Sequence, residues 1–542
     1  MTEHVAVESA KSTGAIVPAI ARPGFILVGA LVIGFLVEAL LHGQPIGVGY
    51  AVAALVVVAG WLILGRGLEL RPSRSALVML AALAIISVMA AWRASPALRA
   101  VDVLVGLGLV LLIAAIYLRG RLPGLSLTDY GMALVLGGIA ALIQPFVLLF
   151  SDLPKARRAP KADRHRRQQL APVVAGLLLA LPLLLVFGAL FASADPVFAA
   201  YLRQLFDWNI DLADLIGRLV LSAMLSWTTL GLARHAFTDD SAAGKVLQVG
   251  RPDWLRIGGV EAITVLALLN ALFVSFVAVQ AVYLFGGADT LARTGLTYSE
   301  YARRGFFELV TVAALVLSLI LLADWLAQPA PPRARRVISS LHGLLVLLTL
   351  AILASALQRM RLYQAEYGLT ELRLYTTAFM CWLAAVLIWL VITALARPAH
   401  PASEDLGRRR FAFGAFVAGL VVVIGLNLLN PDALIARTNL ARAAAGVGQP
   451  LDAAYLTQTL SADAAPTLVA GLAGITDADA RAQLACGLQV QAERLQRQAA
   501  RLSWRGTTWG GVAARRALTA AEADLAHGAE RCSLWFSQGR SD

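Results

Sequence analysis

Twelve apolar runs, each about as long as a helix needs to cross a bilayer, constrain this chain more than any other feature of its sequence. They occupy residues 24–41, 46–65, 76–92, 101–118, 130–150, 169–192, 213–234, 257–285, 305–327, 337–358, 374–396 and 411–429. A spanning helix needs roughly 20 largely apolar residues, because each residue advances the helix axis by about 1.5 Å. Only 15% of the residues are charged, against roughly 25% in soluble domains. The sequence therefore predicts an all-α fold, a polytopic transmembrane helical bundle of about 11–12 spans.

A change of composition after residue 429 divides the chain into a membrane part and a C-terminal part. In 430–542, polar and apolar residues recur at helical spacing, which predicts a small C-terminal α-helical extramembrane domain. Its helical stretches are predicted at 433–445, 451–460, 465–472, 477–502 and 513–529. The preceding segments are predicted to be a tail (1–23), N-terminal transmembrane helices (24–150), a basic loop (151–168) and the main transmembrane bundle (169–429). The first run lacks a small-residue cleavage pattern, so we interpret it as a retained span.

The basic residues orient these segments relative to the two sides of the membrane. The formal net charge is +12, but lysines and arginines sit in short clusters between apolar runs, where the positive-inside rule expects them. We therefore expect these basic residues to contact the lipid bilayer, and we expect no nucleic acid to bind. The strongest cluster comprises Lys155, Arg157, Arg158, Lys161, Arg164, Arg166 and Arg167. It predicts a cytoplasmic N-terminal tail, a cytoplasmic loop at 151–168 and an extracytoplasmic C-terminal domain.

The positive-inside rule also bears on the run at 130–150. If every run crossed the membrane, five arginines would lie outside, namely Arg66, Arg71, Arg74, Arg119 and Arg121. We expect that 130–150 does not cross, because a Gly-Gly pair at 137–138 and a Gln-Pro pair at 144–145 interrupt it. It would then be re-entrant or lie in the interface plane, which leaves eleven crossings. Twelve crossings with a weakly determined N-terminal half are the alternative.

Polar side chains inside the runs fall into two layers by depth. Such groups are costly in a bilayer and usually face a protein interior or an aqueous cavity. The predicted outer layer contains Arg218, Gln280, Glu308 and Asn427. The predicted inner layer contains Glu261, Asp324 and His342, with Asn270 between the layers.

Each layer has a structural and a functional interpretation. An ion pair between Arg218 and Glu308 would neutralise both charges, and helix registry is the best-attested role of such pairs. A histidine beside carboxylates can relay protons near neutral pH. The inner side chains lie near helix ends, however, which favours simple extension toward the interface. Asn270 is expected to join two helices by a hydrogen bond rather than to bind a ligand.

The predicted outer connections, at 193–214, 297–309 and 359–373, carry side chains suited to binding at a membrane surface. The candidate binding residues of this outer mouth are Asp195, Tyr298, Glu300, Tyr301, Arg303, Arg304 and Arg361. Guanidinium groups bind carboxylates and phosphates through paired hydrogen bonds, so an anionic lipid headgroup, a polyprenyl phosphate or a carboxylated ligand would fit. An aromatic belt with arginines at lipid phosphates is the simpler interpretation.

Motifs for metals, cofactors and nucleotides are missing from the sequence. The seven histidines are not paired at metal-ligand spacing, so we expect no metal. Phosphate-loop and dinucleotide-binding motifs are absent, so we expect no nucleotide and no cofactor. Cys486 and Cys532 both lie in the C-terminal domain. A disulfide between them is expected if that domain is extracytoplasmic, and two buried free thiols are the alternative.

Three segments carry a resemblance to a known group of proteins: LFASADPVF (190–198), TYSEYARRGFFEL (297–309) and NPDALIARTNLARA (430–443). With them the chain resembles an uncharacterised family of bacterial multi-pass inner-membrane proteins, catalogued only as a domain of unknown function. The resemblance implies a location in the bacterial inner (cytoplasmic) membrane. It implies no activity and no catalytic residues.

Three functional classes are compatible with these features. The first is a binding or signalling protein that contacts an envelope ligand or an envelope protein partner through its outer loops and C-terminal domain. The second is a secondary transporter of a small or anionic solute, although no internal repeat is visible. The third is an envelope enzyme acting on a lipid-linked glycan. Because no catalytic motif is present, the sequence favours the first class and argues against an enzyme.

Overall fold

The computed structural model describes residues 22–118, 122–158, 190–198, 212–238, 257–285, 306–326, 331–395 and 401–529, and residues 180, 184, 187 and 188. Within these ranges the chain is helical and contains no β-strand. Eleven helical stretches there are long and apolar enough to cross a membrane. The predicted fold class, a polytopic helical bundle, is therefore confirmed.

The helices of the membrane part pack around two hydrophobic cores. Those of the first are α1 (Pro23–Leu41), α2 (Val48–Gly67), α3 (Arg74–Trp92), α4 (Pro96–Ile116), α5 (Leu127–Val147), α6 (Leu153–Arg158) and α7 (Leu212–Phe237). Those of the second are α8 (Gly259–Phe285), α9 (Phe306–Leu326), α10 (Pro332–Tyr367) and α11 (Glu371–Leu390). Helix α12 (Pro401–Leu429) joins the two bundles, because Ala412 packs in the first core and Phe411 in the second.

The C-terminal part forms a third core beyond the end of α12. Its helices are α13 (Pro431–Ala444), α14 (Ala465–Gly471), α15 (Ala478–Arg501), α16 (Trp509–Ala520) and α17 (Glu522–Ala529). Leu369, from the turn between α10 and α11, packs into this core. In that turn Gly368 has a φ of 79°, and Asn439 of α13 both accepts from and donates to the Leu369 backbone at 3.0 and 2.8 Å. The domain is thus fastened to the second bundle.

The two ends of the membrane helices differ in charge and in contacts. At one end, called here the basic face, Arg22 donates to the Gly67 carbonyl and Arg408 pairs with Asp324. At the other end, called the domain face, Val48 N–H donates to the Thr507 carbonyl at 2.9 Å. The domain face therefore includes the start of α2 and carries the C-terminal domain.

Helix α5 departs from the predicted interruption of 130–150. It runs without a break through residues 137–138 and through Pro145, and it continues by a π-turn (Leu148–Asp152) into α6. The Arg234 guanidinium near the end of α7 binds both Gln144 and Asp152. A crossing helix of this length would carry its end about 30 Å away from its start. Tyr130, near the start of α5, bonds the Leu122 carbonyl. Residues Leu127–Ala156 are one of the eleven stretches long and apolar enough to cross a membrane, so non-crossing of this segment stays a prediction.

The segment 359–373 was predicted to be an outer loop, and this prediction is wrong. Helix α10 continues to Tyr367, and α11 begins at Glu371. The drop in hydropathy after residue 358 marks the end of the apolar surface and not the end of the helix. Residues such as Gln364, Ala365 and Glu366 are good helix formers, and the left-handed Gly368 then ends the helix.

Candidate functional site

A cavity of about 280 Å³ lies where α4 of the first bundle meets α11 and α12 near the domain face. Its lining consists of Ala97, Leu98, Val101, Tyr375, Ala378, Phe379, Trp382, Val422, Val423 and Leu426. All ten residues belong to helices apolar enough to span a membrane. The cavity therefore lies at membrane depth, in the half of the bundle next to the C-terminal domain.

Two lining side chains carry polar atoms, and both atoms are buried without a hydrogen-bond partner. They are the Tyr375 hydroxyl and the Trp382 indole N–H, seven residues apart on one face of α11. A buried donor without an acceptor costs about 1–3 kcal/mol. The wall that the cavity presents is almost wholly apolar, and the two donors lie buried behind it, about 10 Å apart along α11, with Ser95 within hydrogen-bonding reach of Tyr375.

A group of polar side chains closes the cavity at the domain face, and we call it the polar junction. Its members are Arg93, Ser95, Glu371, Tyr375, Asn427, Asp432 and Asp463. Arg93 follows α3, and its Nε donates to the Asn427 carbonyl at 2.5 Å, which satisfies a carbonyl in the last turn of α12. Asp432 and Asp463 both attract the Arg93 guanidinium. Arg93 therefore links the first bundle, α12 and the C-terminal domain.

Asp463 holds the C-terminal domain on the turn between α3 and α4. Its Oδ2 accepts from the backbone N–H groups of Ala94 and Ser95 at 2.7 and 3.2 Å. Gly510, in the first turn of α16, lies so close that a Cβ there would overlap Asp463 Oδ1. Burial raises the pKa of the Asp463 carboxyl, while the Ala94 N–H and the Arg93 guanidinium oppose that rise. This contact needs a glycine at position 510 and a carboxylate-sized acceptor at 463.

Two further carboxyl groups lie beside Tyr375. Asp432 accepts from the Ser461 hydroxyl and is fully buried, and its Oδ1 has no donor. The Glu371 side chain lies within hydrogen-bonding reach of the Asp432 carboxyl. Because two ionised carboxylates repel, such a contact is favourable only when one of them holds a proton. The junction therefore holds three carboxyl groups, at Glu371, Asp432 and Asp463, with the guanidinium of Arg93 among them and that of Arg99 within electrostatic reach of Asp463.

The predicted outer layer divides between several neighbourhoods. Asn427 is fully buried and belongs to the junction, and its Nδ2 donates to Asp102 Oδ1 at 2.9 Å. Gln280 accepts from the Ser355 hydroxyl at 2.6 Å, between α8 and α10. The predicted ion pair between Arg218 and Glu308 is wrong. Arg218 Nε bonds Glu38 Oε1 at 3.0 Å, because α7 packs along α1, and Glu308 is exposed.

The Arg218–Glu38 contact extends into a chain of charged groups at the domain face. Glu38 is buried, and its Oε1 also lies 3.3 Å from His42 Nδ1. His42 Nε2 lies 2.7 Å from Asp214 Oδ1. This series of side-chain contacts joins the end of α1 to the start of α7 and does not include a residue of the cavity lining.

The predicted inner layer lies near the basic face. Asp324 is half-exposed and pairs with Arg408, and Glu261 is exposed at the start of α8. His342 is buried, and its Nε2 has no partner. Asn270, as predicted, joins two helices, since its Nδ2 donates to the Leu266 and Leu341 carbonyls at 2.8 and 3.1 Å.

The predicted outer mouth is described only in part. Asp195 is exposed and caps a short helical turn by accepting from the Val197 N–H at 2.8 Å. Arg361 is exposed on the extension of α10. The remaining members lie outside the described residues, namely Tyr298, Glu300, Tyr301, Arg303 and Arg304. Cys486 is disulfide-bonded and Cys381 is a free thiol. The pairing of Cys486 with Cys532 stays a prediction, because Cys532 also lies outside the described residues.

Metal binding was not expected, and the described ranges contain no cluster of three or more metal-ligating side chains. Most of the junction was missing from the sequence-based candidates. Asp102 is a single acidic residue within the apolar run 101–118, which is the signal that could have identified it. Glu371, Asp432 and Asp463 lie in segments where acidic residues are ordinary. Only the fold brings them together.

Comparison with known proteins supports a family assignment. No curated protein and no solved structure matches the chain. Residues 78–471 match one protein family, and this range includes the whole cavity lining and the whole polar junction. That family is described as a domain of unknown function (DUF4153), and because the match covers most of the sequence, the chain belongs to it.

Proposed function

We propose that this multi-pass membrane protein binds an amphiphilic lipid in the cavity between α4, α11 and α12, beneath the C-terminal domain. The observation that carries the proposal is the almost wholly apolar wall of a cavity between helices apolar enough to span a membrane, with a polar group of Trp382 buried behind that wall. An apolar chain fits such a wall, and an oxygen of the same lipid could accept from Trp382 if the side chain turned toward it. This is a binding function, and it uses none of the motifs that the sequence lacks.

The surroundings of the cavity favour a lipid over a water-soluble ligand. Helices α4, α11 and α12 are membrane-spanning by length and apolarity, so the medium beside them is hydrocarbon. A soluble ligand would leave water to reach the Trp382 end, about 15 Å below the start of α11. A bilayer lipid is already at that depth. Its glycerol or ester oxygens would reach the Tyr375 end, where the polar junction begins.

The charges of the junction favour a neutral or amine-bearing headgroup at this position. Three carboxyl groups lie there beside the guanidinium groups of Arg93 and Arg99, so the junction has no excess of positive charge that would attract a phosphate. An ammonium group could pair with the carboxyl groups of Glu371 and Asp432 in place of the proton between them. The anionic ligands expected from the arginine- and tyrosine-rich outer mouth would bind elsewhere.

We also propose an orientation and a location. The basic face carries Arg22, Arg66, Arg74, Arg333 and Arg408 at its helix ends and would be cytoplasmic by the positive-inside rule. The domain face, with the C-terminal domain and the polar junction, would then be extracytoplasmic. The resemblance to bacterial multi-pass proteins supports the bacterial inner (cytoplasmic) membrane as the location. A lipid in this cavity would come from the outer leaflet.

A photoactivatable phosphatidylethanolamine with a diazirine in one acyl chain tests the proposal. The purified full chain is reconstituted with this lipid, irradiated and digested, and labelled peptides are identified by mass spectrometry. We expect labelling of the residues that line the cavity on α4 and α11. Ala378→Phe fills the cavity and should abolish that labelling.

The matched control is Ala385→Phe, which adds the same ring to an exposed position on the same helix. It should leave cavity labelling unchanged. Tyr375→Phe removes one donor without changing the shape of the cavity, and it should reduce labelling more than Tyr367→Phe does at an exposed tyrosine. Equal labelling in wild type and Ala378→Phe would show that the lipid touches only the outer surface, and the proposal would be wrong.

A further inference from the structure

The pair formed by Asp102 and Asn427 contains two oxygen atoms with nothing to bind. Both side chains are fully buried, within α4 and within the last turn of α12. Asn427 Nδ2 donates to Asp102 Oδ1 at 2.9 Å. Asp102 Oδ2 and Asn427 Oδ1 are left without donors. The Asp102 and Asn427 side chains already share one hydrogen bond. A single donor placed between the two unpaired oxygens would satisfy both of them.

We propose that Asp102 is a proton-binding site in the membrane, where the carboxyl holds a proton on Oδ2 and donates it to Asn427 Oδ1. One proton then satisfies both unpaired atoms and closes a ring of two hydrogen bonds between a carboxylic acid and an amide. The carboxyl is neutral in this state. A buried carboxylate in hydrocarbon without a cationic partner is strongly disfavoured. Binding a proton neutralises the group and removes most of this free-energy cost.

The groups that face Asp102 do not supply a counter-charge. From α2, Tyr50 lies within electrostatic reach of Asp102, and its hydroxyl pairs with Ser87 of α3. Arg99, on α4 itself, donates to the Ile46 and Ala94 carbonyls at 2.7 and 3.1 Å. From the end of α3, Arg93 donates to backbone carbonyls of α12.

Among the described residues, the buried charged side chains of the other helices that pack on α4 are paired with each other. The buried charged groups of the α5–α7 contact, Asp152 and Arg234, pair with each other near the basic face. Among the described residues, no basic side chain is ion-paired with Asp102. A monovalent metal cation is the competing occupant, because carboxylate and amide oxygens also suit hard cations.

Infrared spectroscopy of the reconstituted full chain detects the proton directly. A protonated carboxylic acid has a carbonyl stretch separate from that of a carboxylate. We expect this acid band at neutral pH in wild type and a weaker band in Asp102→Asn, where the Asp102 component is lost and that of the Glu371–Asp432 pair remains. That variant should fold, since two facing amides can form the same ring of hydrogen bonds. Asp324→Asn is the matched control, because Asp324 pairs with Arg408 at the basic face, so the band should be the same as in wild type.

A second variant keeps the test decisive if Asp102→Asn is unstable. Asn427→Leu removes the acceptor and should shift the acid band to the frequency of a carboxylic acid without a hydrogen bond. An acid band that is the same in wild type and Asp102→Asn would overturn the proposal. So would a wild-type melting temperature that rises when sodium replaces choline and loses that response in Asp102→Asn, since this would identify a cation in place of the proton.

Discussion

Two ion pairs at the basic face have the same N···O distance, but one is buried and the other is partly exposed. Their contributions to the free energy of unfolding should therefore differ. Arg234 Nε lies 2.8 Å from Asp152 Oδ2, with side chains 1% and 4% exposed. Arg408 Nε lies 2.8 Å from Asp324 Oδ2, with side chains 40% and 43% exposed. Removing one partner of a buried pair strands a charge and costs about 3–5 kcal/mol. An exposed pair is screened by solvent and contributes about 0–1 kcal/mol.

Asp152→Ala should therefore lower the free energy of unfolding by about 3–5 kcal/mol, and Asp324→Ala by at most about 1 kcal/mol. The double variant Asp152→Ala with Arg234→Met should recover most of the loss, because no charge is then stranded. Unfolding in mixed micelles with increasing sodium dodecyl sulfate measures all three. Equal losses in Asp152→Ala and Asp324→Ala would refute the reasoning from burial, and with it the close contact of the α5 region with α7.

Three other consequences concern the C-terminal domain and the orientation. Gly510→Ala should loosen the domain from the α3–α4 turn and speed its proteolysis, because a Cβ would overlap Asp463, whereas Gly474→Ala, where space is open, should not. Asp463 has a raised pKa in the folded state, so its contribution to stability is full below its ordinary value of 3.8 and is lost as pH rises through the folded pKa. The melting temperatures of wild type and Asp463→Asn should converge at low pH and separate as pH rises through the folded pKa of Asp463. Parallel curves would contradict this direction of the pKa shift. In a Cys381→Ser background, an impermeant thiol reagent added to intact cells should label Thr476→Cys and spare Arg333→Cys, and the reverse pattern would invert the proposed orientation.

Hydropathy was sufficient to predict the described membrane helices, because a spanning helix must be apolar along its whole length whatever it packs against. For the same reason it missed the true end of α10, where the helix continues beyond the apolar surface to Gly368. The predicted run 169–192 lies almost wholly outside the described residues. Helix spacing likewise predicted the C-terminal stretches, and each of the five contains helical residues. The apolarity and the helical spacing of a segment depend on that segment alone, so one sequence is enough to predict them.

Pairings between helices are not local, and the sequence-based analysis failed there. Arg218 was matched to Glu308 by depth, but its partner is Glu38, because α7 packs on α1 and not on α9. The depth of a polar residue in its predicted span shows that the residue needs a partner, but it does not show which helix packs beside it. Asn427 was identified as a buried polar residue, yet its partner Asp102 lies more than 300 residues earlier in the chain. The candidate site is built almost wholly from contacts of this kind.

The lipid cavity is the central claim, and a structure determined by electron cryomicroscopy in lipid nanodiscs tests it most directly. The proposal predicts elongated density between α4, α11 and α12, with an oxygen within hydrogen-bonding distance of Tyr375 OH or Trp382 Nε1. Ala378→Phe should lack this density while the helices keep their positions. A cavity that is empty, collapsed or filled only by ordered water in the wild-type protein would contradict the proposal.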